Sequence, residues 1–197
     1  MKKIILFTLL AVSTVFISAQ NAVNVKWNVN AGIGIADYYG KNTDGTDAKF
    51  AYRIGVGMEL PFNNAWSLQS GLNLVSKGCK AGESDLKTKF NPLYLELPIL
   101  AGLRLHTANN FDVLFKAGPY LAYGIGGKVK VGDESVGAFD DGALKKFDAG
   151  LEFGVGFEFD KFVLGLDSQF GMTNVFDGGG LTKPKNISTF VTFGYKL

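Results

Sequence analysis

The chain has 197 residues, 47% of them apolar, with 20 basic and 18 acidic side chains, one histidine and one cysteine. This length implies a single domain. The near balance of charge, with no basic stripe to track phosphates, argues against a nucleic-acid partner, and a lone Cys79 excludes an internal disulfide.

Met1-Lys2-Lys3 is a short basic segment, and Ile4 to Ile17 is mostly apolar. Ile17-Ser18-Ala19 offers small residues for cleavage, so residues 1–19 read as a cleavable signal peptide. The apolar run falls well short of the roughly 20 residues that a membrane-spanning helix needs. Its removal takes Lys2 and Lys3 and leaves 18 basic against 18 acidic residues in a domain of residues 20–197.

From there on, apolar residues recur at every second position, which puts them on one face of a strand. Val25–Ala36, Phe50–Leu60, Trp66–Ser76, Leu93–Leu105 and Phe111–Ile125 all read this way. Asp148 to Phe170 divides at Asp160-Lys161, a two-residue link of the kind that makes a tight hairpin. Ile187–Leu197 is the eighth strand. Short turns at Pro61–Asn64, Thr107–Asn110 and Asp160-Lys161 alternate with long loops at 37–49, 77–92, 127–147 and 172–186. In an up-and-down meander all long loops then lie at one end, the layout of an outer-membrane barrel. The fold expected is all-β: an eight-stranded antiparallel up-and-down transmembrane β-barrel.

One face of each strand is large and apolar; the other is glycine, asparagine and isolated charge. Leu, Phe, Ile and Val on every strand are too bulky for a narrow lumen, so the apolar face is expected to meet lipid and the polar face to fill the interior. Two aromatic girdles are expected. Trp27, Trp66, Phe111, Phe159, Phe162 and Tyr195 mark the turn end, and Tyr39, Phe50, Tyr52, Tyr123 and Phe170 the loop end. A soluble periplasmic ligand-binding β-barrel, with the faces reversed, is the competing architecture.

Tyr94-Leu95-Glu96-Leu97-Pro98, Asp148-Ala149-Gly150-Leu151 followed by Gly154-Val155-Gly156 and Glu158, and Phe170-Gly171-Met172-Thr173-Asn174-Val175 together resemble the strand motifs of a known family. That family is the PorT-like outer-membrane β-barrel proteins of Bacteroidetes-type Gram-negative bacteria, barrels of the OmpA/OmpX type. Met172 stands where leucine is usual. The resemblance implies an architecture and an outer-membrane location. PorT itself is associated with a secretion system, and that role is not carried over. The last strand, ending in Leu197, resembles the C-terminal signal read by the barrel-assembly machinery.

The inward set contains both signs of charge: Arg53, Glu59, Glu96, Arg104, Lys116, Glu152, Glu158 and Asp167, with Lys26 and Asp112 nearer the turn end. Charges inside a narrow barrel must pair or be hydrated. This lumen network is expected to plug and rigidify the barrel; an ion path is the sharper alternative. His106 falls at the turn end and reads as an interfacial residue. Asp140-Asp141 and Asp44 with Asp47 lack calcium-loop spacing, and one histidine with one cysteine makes a poor transition-metal site, so neither a metal nor a cofactor is implied. Cys79 reads as a plain loop residue, Asp177–Gly180 as a loop tip, and Gly32-Ile33-Gly34 as small residues of a narrow interior.

The function expected is that of a non-enzymatic structural or interaction protein of the outer membrane. Its partners would be the membrane lipid, the assembly machinery and an unknown extracellular ligand or protein at the loops. A narrow channel or transport accessory and a secretion-system component are the alternatives.

Overall fold

Alternation with period two forces strands, and a sheet with one wholly apolar face has to cover or close its edges. The computed structural model describes residues 25–40, 43, 45–82, 88–108, 111–132, 134–140, 144–176 and 183–197. The expected signal peptide, the 177–180 loop tip, Asp44, Asp141 and the Asn109-Asn110 turn lie outside the described residues.

Eight long strands form the wall: β1 (Lys26–Tyr39), β3 (Lys49–Pro61), β4 (Trp66–Ser76), β6 (Thr88–Ala108), β7 (Phe111–Val131), β9 (Phe147–Phe159), β10 (Phe162–Gly171) and β11 (Lys185–Lys196). Three short strands, β2 (Thr46–Asp47), β5 (Lys80–Ala81) and β8 (Glu134–Gly137), lie at the loop end. Each long strand pairs antiparallel with the next. β1 pairs β11 from Asn28↔Lys196 to Tyr39↔Lys185, which closes the barrel. The expected eight-stranded antiparallel barrel is what the chain forms.

The apolar face points outward on every strand. Ile33 is 63% exposed and Phe50 64%, and Ile54, Leu72, Phe115, Leu164 and Val191 lie open in the same way. The aromatic girdles form largely as expected. At the turn end Trp27, Trp66, Phe159 and Phe162 are exposed, with Phe111 against Phe159 (ring centroids 4.9 Å) and Phe162 against Tyr195 (5.4 Å). At the loop end Phe50, Tyr52, Tyr123 and Phe170 are exposed. Tyr39 differs: its hydroxyl donates to the Gly171 carbonyl at 2.5 Å and ties β1 to the end of β10.

The long loops are not as the sequence suggests. The segment 127–147 is partly strand, because β7 runs on to Val131 and Lys128–Val131 pairs back onto β8. Segment 77–92 contains β5 and the start of β6, and segment 37–49 contains β2. For segments 77–92 and 127–147 the reason is a bulge. The β6–β7 register shifts between Leu93 and Tyr94, leaving Ile125 without a partner, and Gly127 takes φ 111°. A bulge inserts one residue and bends the ladder without ending it, so pairing resumes through Lys89↔Lys130. Gly127 is required here, since its left-handed backbone and the nearby Asn91 carbonyl leave no place for a Cβ.

The loop end also has a small apolar core of its own. Tyr38, Cys79, Val129, Ala138, Leu144 and Val175 are buried together, with Phe90, Phe139 and Phe176 packed against them. Phe176 meets Tyr38 and Phe90 edge-on at 6.2 and 5.9 Å. Phe139, packed against this core, meets the inward Tyr94 edge-on at 5.5 Å, which sets the core against the loop end of the lumen as a cap. Cys79 is therefore not a plain loop residue: it is 0% exposed within the cap. Burial, reinforced by the carboxylates of Asp37 and Asp47 against the opposing Lys49, pushes its thiol up to about 12. At pH 8 the thiol is protonated and shielded. Maleimide should leave Cys79 unlabelled in the folded barrel and label it fully after boiling, as read by mass spectrometry.

Candidate functional site: the lumen charge network

The strand period that turns leucine outward turns every second residue into the lumen. Eight strands leave room for side chains and little else, so the inward charges meet one another across the barrel. They sort into three groups.

The group under the cap joins six strands and the segments that follow β4 and β10. Arg53 donates through Nη1 to Glu152 Oε1 at 2.9 Å and lies 3.9 Å from Glu96. Lys77 Nζ sits 3.0 Å from both Glu96 Oε2 and Asp148 Oδ2. Gln169 bridges the two glutamates, donating to Glu96 at 2.7 Å and to Glu152 at 2.8 Å. Asp148 also accepts from Tyr120 (3.1 Å), Thr173 (2.7 Å) and Asn186 (3.2 Å). The Lys77 ammonium lies 4.0 Å from the centre of the Tyr120 ring, a cation–π arrangement that stabilises a desolvated cation. Lys77, Glu96, Asp148, Glu152 and Gln169 are all buried.

The group at the turn end is built on Arg104. Its Nη1 and Nη2 donate to the two oxygens of Glu59 at 2.6 and 2.8 Å. Its Nε and Nη2 donate to Glu158 at 2.8 and 3.1 Å. One guanidinium thus holds two carboxylates through paired bonds, the strongest geometry open to arginine. Lys196 adds a 2.9 Å contact to Glu158, and Asp112 lies 3.8 Å from Arg104.

Between them, Lys116 pairs with Asp167 at 2.7 Å, and Thr192 donates to the same carboxylate at 2.9 Å. A cavity of about 100 Å³ opens beside this pair, lined by Asn28, Asn73, Gln69 and Arg53 among others, and it reaches Lys26 and Trp27 at the turn end. Among the described residues, Arg53 Nε and Asn73 Oδ1 have no hydrogen-bond partner.

Lys116 and Asp167 stand on β7 and β10, with Gly154 of β9 in register with both. A Cβ at Gly154 would collide with the Asp167 carboxylate and sit 2.9 Å from Lys116 Cε. The ion pair closes only over a bare backbone. Gly154→Val should cost about 1–3 kcal/mol in urea unfolding. In an Asp167→Ala background that cost should shrink, a coupling read by a double-mutant cycle.

All eight inward charges expected from the sequence meet partners in the lumen, Lys116 being the most open of them at 18%. The sequence reading missed Lys77, Asp148 and Gln169. Lys77 continues the inward set Ser67, Gln69, Asn73 and Val75 by one place beyond the strand; Asp148 lies four residues before Glu152, with Gly150 between them, and Gln169 lies two residues after Asp167. Following the parity past the last apolar residue would have found all three. His106 lies at the turn end of β6, exposed, with Nδ1 2.8 Å from Asp112 and Nε2 3.0 Å from the Asn64 carbonyl.

The family profile described as the outer membrane protein beta-barrel domain matches residues 18–177. The chain belongs to that family. This outer membrane β-barrel therefore faces lipid with its Leu, Ile and Phe side, and the soluble reading falls away. Among solved structures it is similar to Neisserial surface protein A, at 11% identity over 87% of this chain and 97% of that one, with a TM-score of 0.53. Ail of Yersinia pestis is similar at 15% identity over 87% and 98%, with a TM-score of 0.45. The outer membrane enzyme PagL is similar at 15% identity over 86% and 98%, with a TM-score of 0.47. At these identities the likeness concerns the fold alone. No curated protein sequence matches the chain.

Proposed function

We propose that this protein is a non-enzymatic structural or interaction protein, a barrel closed to solute flow that presents its loop end to the surroundings. The observation that carries the reading is the buried group of Arg53, Lys77, Glu96, Asp148 and Glu152, which spans the lumen directly beneath an apolar cap. Side chains that fill an eight-stranded interior in that way leave little room for a water column, and the apolar core at the loop end supports a closed entrance. We further propose that residues 1–19 are removed on export, that the last strand is read by the assembly machinery, and that the chain is a PorT-like member of its broader family, on the strength of the three strand motifs.

Planar-bilayer recording tests the closed reading. A silent barrel at 100 mV is the expected result, and discrete conductance steps above leak would sink it. A second reading, a narrow ion or proton path, draws support from the cavity of about 100 Å³ whose lining runs from Lys26 and Trp27 at the turn end to Arg53 and Glu152. The same recording separates the two.

A further inference from the structure

The outward face of β6 and β7 changes character above the barrel. It is apolar and exposed through Leu95 and Ile125. Beyond them the same face carries Lys89 on β6 and Lys128 and Lys130 on β7, all exposed, with Lys80 on β5 alongside. Register gathers these four into one patch. Lys80 lies opposite Lys89, and Lys89 opposite Lys130. Lys128 is two residues from Lys130 and so on the same face. The other face of these strands is spoken for, because Phe90 and Val129 pack into the cap.

Directly opposed residues in a sheet have Cβ atoms about 5 Å apart, and like charges there repel. Among the described residues, the strand partners offset this only at Lys80. Asp47 lies opposite Lys80. On β8 the partners of Lys130 and Lys128 are Ser135 and Gly137, and Glu134 pairs with Val131. Lys77, Lys116 and Lys196 pair with carboxylates of the lumen, whereas among the described residues no carboxylate lies within 4 Å of the Lys80, Lys89, Lys128 or Lys130 ammonium. A three-strand lysine row invites an external anion.

Its height says which anion. Lys128 follows Ile125, the last apolar residue of the lipid face, by three positions, about 10 Å along a strand. At the usual tilt of about 40° this is roughly 7–8 Å above the hydrocarbon edge, and Lys130, with Lys89 and Lys80 level with it, lies roughly 5 Å higher. A headgroup layer is about 5–7 Å deep on each side, and lysine stems reach several ångströms further toward it. We propose that Lys80, Lys89, Lys128 and Lys130 form a docking row for phosphate-bearing lipid headgroups in the leaflet at the loop end. The row lies outside the lumen and does not depend on whether the lumen conducts.

The test is native mass spectrometry of the full barrel in zwitterionic detergent, titrated with short-chain phosphatidic acid, with phosphatidylcholine of the same chains and with inorganic phosphate. Phosphatidic acid should bind at least tenfold more tightly than phosphatidylcholine. Each lysine near a charged surface contributes roughly fivefold, so Lys89→Gln with Lys130→Gln should weaken phosphatidic acid binding about 30-fold. Lys161→Gln, at the opposite end, should change nothing. Heat-modifiable gel mobility checks that each variant is folded, and Lys128→Gln alone, with about a fivefold loss, serves if the double variant is not. Equal binding of the two lipids, or an unchanged affinity in the variants, overturns the proposal. Competition by inorganic phosphate at matched concentration would assign the row to a soluble anion and overturn the lipid assignment.

Discussion

Replacing Lys77 by methionine should give a barrel that unfolds at markedly lower denaturant, with a loss of about 3–5 kcal/mol. The ammonium is the only cation within 4 Å of Asp148 among the described residues, and it shares Glu96 with the more distant Arg53. Methionine fills the space but leaves two buried carboxylates facing each other across it. Tyr120, Thr173 and Asn186 still donate to Asp148, and Gln169 to Glu96, which holds the loss toward the lower part of that range. Adding Glu96→Gln to Lys77→Met should recover part of it, because one of the two stranded charges is then gone. The measurement is the urea midpoint of the heat-modifiable band. A Lys77→Met barrel as stable as the parent would mean that the group under the cap is hydrated and does not seal the lumen.

Arg104→Met should be the most damaging single change at the turn end, again by about 3–5 kcal/mol. It strips both Glu59 and Glu158 of a two-pronged partner at one stroke. Arg104→Lys should recover less than half of the loss, since a single ammonium cannot satisfy two carboxylates through paired bonds. The informative comparison is the triple variant Arg104→Met/Glu59→Gln/Glu158→Gln. Removing a whole buried ionic group is often far less costly than removing one member, so the triple variant should unfold later than Arg104→Met alone. Lys196 tolerates the loss of Glu158 because it is part-exposed and can turn to water. A triple variant less stable than the single one would show that the carboxylates do work beyond balancing Arg104.

The wall of the barrel was legible in the sequence because a membrane strand obeys one rule along its length. Trp27 through Ile35, Phe50 through Met58 and Leu151 through Phe159 alternate without a break, and the short turns read at Pro61–Asn64 and Asp160-Lys161 fall where strands end. The lumen was legible for the same reason wherever a charge lay between two apolar residues, as Glu152 and Glu158 do. Lys77 escaped because its strand partners end at Ser76, and the apolar neighbours that advertise the alternation stop there too. The loop end was the least legible. Lys128, Val129, Lys130 and Val131 do alternate, but the bulge at Ile125 moves the inward positions from even to odd numbers, so Val129 faces the cap where an unbroken count turns it to lipid. Cys79 carried no local signal at all. Its burial depends on Tyr38, Val129, Leu144 and Val175, which reach it from four other segments.

The seam between β1 and β11 has a consequence for how the molecule comes into being. Arg53 and Glu152 are 99 positions apart in the chain, Lys77 and Asp148 are 71 apart, and Arg104 and Glu158 are 54 apart. None of these counter-ions can be recruited by a neighbouring hairpin. A partly assembled, open sheet would carry naked charges on its concave side and unpaired amides on two edges, in a solvent that tolerates neither. Such long-range pairing is slow to find. The chain should therefore enter the bilayer and zip its first strand to its last in one concerted event, with half-built forms too short-lived to accumulate.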